Sequence, residues 1–288
     1  MTYNEIITKI RADVGDFPIR RYETANGDGA TSLFQLAHPK VYEDSYVIKV
    51  DGTPQVENTD FTIDKDIGQV LFLTDHIPTG GDDNVSFEYQ SVNMLDADWI
   101  DIINQVLSHW RRKIWIELTD ETSLVTVRNQ VDYDVATVAT DVLTILNLEY
   151  RPTSSSPWRD IKADTNVVFY KDLQKIHIRP AFTISDNEIR IRALRAYVQG
   201  TATGSTFEPQ DRYQPAIRTM AAALYFERQA AKMLETTAAV SKEKSFESAE
   251  VMFKLARQKK ESAEVMLKQV RASKPSVTIP NAIAGTNI

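Results

Sequence analysis

Residues 94–118 read MLDADWIDIINQVLSHWRRKIWIEL, and the period of this stretch decides how the rest of the chain is interpreted. Leu95, Trp99, Ile102, Ile103, Val106, Leu107, Trp110, Ile114 and Leu118 recur at intervals of three and four, the spacing that aligns side chains on one face of an α-helix. Asp96 and Asp98 stand at its start, where the helix dipole favours anions. The pattern predicts one amphipathic helix of about 22 to 25 residues.

On the N-terminal side of this helix the period changes to two. Tyr46, Ile48 and Val50 share one face of a strand that runs into Asp51-Gly52, a strong hairpin signal. Phe61 and Ile63 share a face of the next strand, which leads through Asp64-Lys65-Asp66-Ile67-Gly68 into Val70-Leu71-Phe72-Leu73. Val85, Phe87 and Tyr89 then alternate with Ser86, Glu88 and Gln90. These strands predict a small antiparallel unit with one apolar face. Ahead of it, Tyr3, Ile6, Ile7, Ile10 and Val14 outline a short amphipathic helix that Gly15-Asp16-Phe17-Pro18 stops.

On the C-terminal side a second β region is expected, with strands at 124–127, 142–146, 167–170 and 189–193 and the polar loop Thr153-Ser154-Ser155-Ser156-Pro157 between two of them. Gly200-Thr201-Ala202-Thr203-Gly204-Ser205 is expected to be a flexible linker into a helical region. Ile217, Met220, Leu224, Ala231, Leu234 and Ala238 mark one helical stripe. The helix that follows, at about 242 to 273, contains an internal repeat: Glu247-Ser248-Ala249-Glu250-Val251-Met252-Phe253-Lys254 recurs as Glu261-Ser262-Ala263-Glu264-Val265-Met266-Leu267-Lys268. Phe246, Ala249, Phe253, Ala256, Ala263, Leu267 and Val270 therefore form a seam suited to packing against another helix, either the 217–239 helix or a neighbouring copy. The proline-bearing stretch Pro275-Ser276-Val277-Thr278-Ile279-Pro280 opens a tail expected to stay extended until it finds a groove or sheet edge.

The expected fold is thus α+β: long amphipathic helices forming a helical spine, two inserted, mainly antiparallel β regions, and an extended C-terminal tail. Its segments are an N-terminal helix and linker (1–29), a small β domain (30–93), the long helix (94–120), a second β region (121–200), a helical hairpin (201–273) and the tail (274–288).

Composition removes several function classes. With no cysteine among 288 residues there is no disulfide framework, no Cys-ligated zinc, no iron–sulfur cluster and no cysteine nucleophile. A formal charge of −7 argues against broad phosphate neutralisation. The start lacks a signal-peptide pattern and no apolar run reaches the roughly 18 to 20 residues of a membrane helix, so a soluble protein used without secretion is expected. His38, His76, His109 and His177 are far apart and lack metal-ligand spacing; His109 reads as a helix-surface residue, and His177 as a solvated strand position opposite Ile176 and Ile178. Asn26-Gly27-Asp28-Gly29 and Gly80-Gly81-Asp82-Asp83 read as turns, since they lack the ligand ladder of a calcium loop. No Walker A, Gly-x-Gly-x-x-Gly or Gly-x-Ser-x-Gly pattern occurs. Neither catalytic residues nor cofactor or metal ligands are expected.

In its order of elements the chain resembles the head-to-tail adaptor, or connector, proteins of tailed bacteriophages. The resemblance rests on the N-terminal helix, the Val50-Asp51-Gly52-Thr53 turn, the strand pair over residues 60–72, the Trp-bearing helix at 94–118, the second β region and the Ala- and Glu-rich C-terminal helices. The smallest adaptors are nearly all helical, whereas this chain carries two β regions. The resemblance implies a virion neck protein, assembled in the host cytoplasm as a homo-oligomeric ring, a dodecamer, below the portal protein. It implies contacts with the portal and with the next neck or tail protein, while DNA passes through the channel without specific binding. Portal binding would fall on the tail residues Pro275, Val277, Ile279, Pro280, Ile283 and Ile288. Candidate inter-subunit residues are Trp99, Trp110, Trp115, Phe246, Phe253 and Leu267, with a core role as the competing explanation for Trp99 and Trp110. Alternatives are another virion structural part, such as a tail terminator or baseplate component, or a carbohydrate-binding adhesion module using Tyr42, Tyr46 and Tyr89.

Overall fold

The computed structural model describes residues 1–111, 113–161, 166–236 and 242–272. Among them, four helices accompany fourteen strands in four antiparallel sheets. The expected helical spine with two inserted β regions is corrected accordingly: the strands outnumber the helices, and antiparallel sheet organises the chain from residue 19 to residue 195. The residues form two compact units. The first holds Met1–Ile103, Gly200–Phe207 and Arg218–Lys259; the second holds Asn104–Gln199, Glu208–Ile217 and Lys260–Ile288, of which the described part ends at residue 272.

The first unit opens with α1 (Tyr3–Val14). Thr2 and Glu5 form a reciprocal capping box, and Gly15, at φ 74°, ends the helix by donating its N–H to the Arg11 carbonyl. The apolar face read from sequence is the buried one, through Tyr3, Ile6, Ile7 and Ile10. Strands β1 (Ile19–Gly27), β2 (Leu33–Gln35), β3 (Val47–Val50), β4 (Thr53–Pro54), β5 (Phe61–Asp64), β6 (Gln69–Phe72) and β7 (Gly81–Ser91) follow. They form one sheet ordered β1-β7-β3-β4 and another ordered β2-β6-β5. A core of Phe34, Leu36, Val41, Ile48, Phe61, Val70, Phe72, Val85, Phe87 and Tyr89 fills this β region. The Asp51-Gly52 hairpin forms as expected, with φ values of 50° and 77° that suit a primed turn. The linker expected before residue 30 is instead the nine-residue strand β1, paired along β7 from Ile19↔Ser91 to Ala25↔Val85.

Residues 200–207 also belong to the first unit and are no free linker. Tyr3 N–H donates to the Ser205 carbonyl at 3.0 Å, Asn4 N–H to that of Thr203 at 2.9 Å, and Phe207 N–H to that of Met1 at 2.9 Å. Gly200 N–H donates to the Tyr3 hydroxyl at 2.9 Å, and a Cβ at residue 200 would lie 2.4 Å from the Tyr3 ring. Only glycine fits so close to the aromatic face.

The long helix expected at 94–118 divides. Helix α2 (Asp96–His109) ends after fourteen residues, and from Ile116 the chain is strand β8 (Ile116–Val125). Ile114, Ile116 and Leu118 explain the misreading: a spacing of four satisfies both a helical period and a period of two. The pairing of Leu118 with Ala193 settles it as strand.

In the second unit β8 is followed by β9 (Asp132–Asp134), β10 (Val142–Arg151), β11 (Arg159–Asp160), β12 (Asn166–Tyr170), β13 (Lys175–Arg179) and β14 (Glu188–Arg195). One sheet is ordered β11-β10-β14-β8 and the other β12-β13-β9. Their shared core is mainly aliphatic, with Val142, Ile145, Leu148, Ile176, Ile178, Ile189 and Ile191 each at most 1% exposed. The guanidinium groups of Arg151 and Arg190 lie 4.3 and 4.5 Å from the centre of the Trp158 ring.

Helices α3 (Gln214–Thr236) and α4 (Lys242–Ala272) end the described chain, and each has residues in both units. In α3 the expected stripe holds at Ile217 and Met220, which are buried, but Leu234 is exposed. The consecutive alanines Ala221, Ala222 and Ala223 are all buried.

Candidate interaction site

Helix α4 owes its character to the repeat found in sequence. Ala249, Ala256 and Ala263 recur every seven residues and are fully buried, as is Leu267, so small side chains make the covered stripe. Apart from Leu267, the large apolar residues Phe246, Val251, Phe253 and Val265 of the same helix lie outside that stripe. In the first unit Phe246 is 62% exposed, Phe253 42% and Val251 66%; in the second, Val265 is 52% exposed. Phe246 and Phe253 stand one heptad apart and therefore lie on one side of the helix. Val251 and Val265 are the same position of the two repeats and share another side. Exposed aromatic and branched side chains in rows, rather than singly, mark contact surfaces. The seam expected through Phe246, Phe253 and Leu267 thus separates into a buried alanine–leucine stripe and an uncovered aromatic flank.

The repeat also diverges by environment. Glu250 is solvated, whereas its counterpart Glu264 accepts from Trp110 Nε1 at 3.0 Å and from Lys113 Nζ at 2.9 Å, with His109 Nε2 at 3.9 Å. Burial alone would raise the Glu264 carboxyl. The hydrogen bonds from Lys113 and Trp110 and the Lys113 charge outweigh burial and hold it below the ordinary value of 4.5.

The tryptophans take different places. Trp99 is fully buried in the first unit, stacked on Tyr225 with ring centres 5.2 Å apart, and its Nε1 donates to Asp16 Oδ2 at 3.2 Å. Burial pushes the Tyr225 hydroxyl up to about 12. The same Asp16 receives Arg11 Nη1 at 2.7 Å and the Asn93 N–H at 2.8 Å, while Arg11 Nη2 reaches Asp96 Oδ1 at 2.8 Å. Trp110 is fully buried and anchored on Glu264. Trp115 is half-buried, and its carbonyl accepts from the Tyr197 hydroxyl at 3.2 Å. Of the six inter-subunit candidates, Phe246 and Phe253 are exposed, while Trp99, Trp110 and Leu267 are covered by the chain itself. The tail candidates Pro275, Val277, Ile279, Pro280, Ile283 and Ile288 lie outside the described residues.

Other readings find their places. Tyr89 is 1% exposed, and its hydroxyl donates to Glu23, so its ring cannot receive a sugar. Tyr42 and Tyr46 are half-buried, with Tyr46 donating to Glu57 and packing edge-on against Phe61. His177 faces away from Ile176 and Ile178, as alternation requires, and its Nδ1 lies 2.7 Å from Asp132 Oδ1 on the neighbouring strand. Asp28 is a turn residue: its carboxylate accepts from Thr31 and Ala30, which lowers it to about 2.

Sequence reading missed an open cleft of about 770 Å³ in the second unit, lined by His109, Arg111, Lys113, Asp141, Lys171 and Asp172 among others. Its charges come from the end of α2, the start of β10 and the β12–β13 turn, so no local motif could announce it. Arg111 is paired with Asp141 at 2.5 Å and Lys113 with Glu264, which gives the cleft a mixed-charge polar surface. Val251 and Val265 were also missed, although their recurrence in the repeat was a usable signal. Among the described residues, no group of three or more His, Asp or Glu side chains could hold a metal ion, and no helix is long and apolar enough to cross a membrane. No protein-family model matches the chain, and no curated protein matches it.

Proposed function

We propose that this protein is a non-enzymatic structural part of a tailed-phage virion, a head-to-tail adaptor whose copies form a ring below the portal and join capsid to tail. The observation that carries this reading is the uncovered aromatic flank of α4, Phe246 and Phe253, on a helix whose own packing uses alanines. A cyclic assembly needs two different lateral patches on each copy, and such a flank is suited to be one of them. The proposed ring is a dodecamer in the virion neck, with residues 274–288 reaching the portal and the next neck or tail protein on the other side. An overall charge of −7 suits a channel through which DNA slides, because acidic walls do not bind phosphates.

Native mass spectrometry and negative-stain imaging of the purified chain, alone and mixed with its portal, test the proposal. A ring is expected for the parent protein. Phe246→Ser with Phe253→Ser should abolish it while costing less thermal stability than a core substitution, since the two side chains are 62% and 42% exposed in the single chain. An intact ring in the double variant overturns the assignment of the flank. Absence of any ring in the parent, with or without portal, overturns the adaptor reading. Deletion of residues 274–288 should leave a folded protein unable to join DNA-filled heads, and normal joining would remove the tail from the portal contact.

A further inference from the structure

We infer that the chain carries one module of a helix followed by seven strands twice, over residues 3–91 and 96–195, as an internal duplication. The first observation is topological. The first module has sheets β1-β7-β3-β4 and β2-β6-β5; the second has β8-β14-β10-β11 and β9-β13-β12. Each strand's counterpart stands seven places later in chain order, in the same sheet position and with antiparallel partners throughout. Seven strands can be divided and ordered in roughly thousands of ways before chain-connection rules prune them. A helix precedes the first strand in both cases.

The second observation is atomic. Three backbone hydrogen bonds recur at matched places. Leu36 N–H donates to the Gly68 carbonyl at 2.9 Å, and Val135 N–H to that of Gln174 at 2.8 Å. Phe72 N–H reaches the Ser32 carbonyl at 2.8 Å, and Ile178 N–H that of Val131 at 2.8 Å. Val92 N–H reaches the Lys40 carbonyl at 3.1 Å, and Ala196 N–H that of Asp141 at 3.1 Å. Two of the acceptor pairs are also the matched left-handed residues: Gly68 and Gln174 at φ 67° and 50°, Lys40 and Asp141 at 65° and 61°. Outside glycine this conformation is uncommon, so its recurrence at equivalent joints is specific.

The third observation is in the sequence. Phe34-Gln35-Leu36-Ala37 corresponds to Tyr133-Asp134-Val135-Ala136, and Lys65-Asp66-Ile67-Gly68 to Lys171-Asp172-Leu173-Gln174. The inward positions agree: Phe34 with Tyr133, Leu36 with Val135, Val41 with Val142, Val70 with Ile176, Phe72 with Ile178, and Phe87 with Ile191 are buried in both. The modules differ where a surface connection can vary, since the tight Asp51-Gly52 turn is matched by the longer connection between β10 and β11.

Interchange within the full chain tests the inference. Replacing residues 61–72 with the sequence of 167–178, with Gly68 retained here and in the control because a Cβ there would lie 3.1 Å from Pro39 Cα, makes Phe61→Val, Ile63→Phe, Val70→Ile and Phe72→Ile at the inward positions, swaps that roughly conserve total volume. If the hairpins are copies, this register-matched graft keeps one cooperative unfolding transition, with the thermal midpoint lowered by no more than ~10 °C. The control graft, residues 168–179 in the same place, makes Phe61→Val, Ile63→Tyr, Val70→His and Phe72→Arg and should abolish cooperative unfolding, because a one-residue slip turns polar residues inward. The reciprocal grafts into 167–178 provide a second pair. Tolerance of at least one matched graft with loss in both shifted ones supports duplication. Loss of cooperativity in both matched grafts, or retention in the shifted ones, overturns it.

Discussion

The β regions of the two units reach the same strand order with different interiors. The first combines the rings of Phe34, Phe61, Phe72, Phe87 and Tyr89 with Leu36, Val41, Ile48, Val70 and Val85; the second is mainly aliphatic, with Ile145, Leu148, Ile176, Ile178, Ile189 and Ile191 beside Tyr133 and Phe169. The comparison teaches that strand order here follows from alternation and from the joints between strands, while the identity of the apolar residue is open to exchange. The units also anchor their N-terminal parts differently. The first ties α1 to the start of α2 through a buried ion cluster, Arg11 with Asp16 and Asp96; the second ties Trp110 and Lys113 to the half-exposed Glu264.

The largest expected effects come from breaking each interior at matched positions and the buried ion cluster of the first unit. Phe72→Ala should cost about 3–5 kcal/mol and Ile178→Ala about 2–5 kcal/mol, the latter nearer its lower end because less volume is removed. Arg11→Ala should cost about 3–5 kcal/mol, since Asp16, with no exposed side-chain surface, would be left in the interior without its cationic partner. Equilibrium denaturation checks all three variants, and a cost of Arg11→Ala below that of an exposed ion pair, about 1 kcal/mol, would show that the cluster is not holding the helix.

The matched joints should respond with opposite signs. Gly68→Ala places a Cβ 3.1 Å from Pro39 Cα at φ 67°, so a loss of about 1–3 kcal/mol is expected. Gln174→Gly relieves a left-handed non-glycine residue and should gain a few tenths to about 1 kcal/mol in backbone terms. Because the Gln174 side chain also bonds to the Val142 backbone at 2.9 and 3.0 Å, Gln174→Asn separates backbone relief from that loss. Thermal midpoints of the three variants order these effects.

The smallest effect is acid sensitivity. Burial would raise the Glu208 carboxyl, but hydrogen bonds from Arg195 and the Val198 N–H, and the Arg195 charge, lower it instead. A carboxyl lowered by folding contributes stability that is present above its ordinary value of 4.5 and is lost as pH falls through the folded value. Glu208→Gln and Glu264→Gln should therefore flatten the fall in stability below pH 4.5 while changing stability at pH 7 only modestly; an unchanged acid limb in both would remove these residues from it.

Much of this was legible in the sequence wherever apolar side chains repeat with one period. Helix α1, the Asp51-Gly52 hairpin, the pair β5–β6, the alternation of β7 and the repeat of α4 follow from spacing. Strand β1 was not legible because its inward positions are Arg21, Glu23 and Ala25: Arg21 Nε donates to Ser91 Oγ at 3.1 Å and Glu23 accepts from Tyr89, so polar groups with partners stand where a strand usually shows apolar ones. The end of α2 was not legible because Ile114, Ile116 and Leu118 satisfy two periods. The buried stripe of α4 was half legible: its alanines were placed correctly, while Phe246 and Phe253 lie on its uncovered flank.

The contact of Gly200 with Tyr3 has a consequence for when the chain can finish folding. The residues that close the N-terminal helix are made about two hundred positions after it, and the first unit also draws on 218–259. As the chain leaves the ribosome, the strands of both units are made before the N-terminal helix has its covering segment. Tyr3, the member of the buried face that Gly200 and Phe207 touch, therefore waits for these partners through most of synthesis. A protein built this way completes its beginning last, which ties the maturation of its first residues to the arrival of the helices proposed to carry its assembly surface.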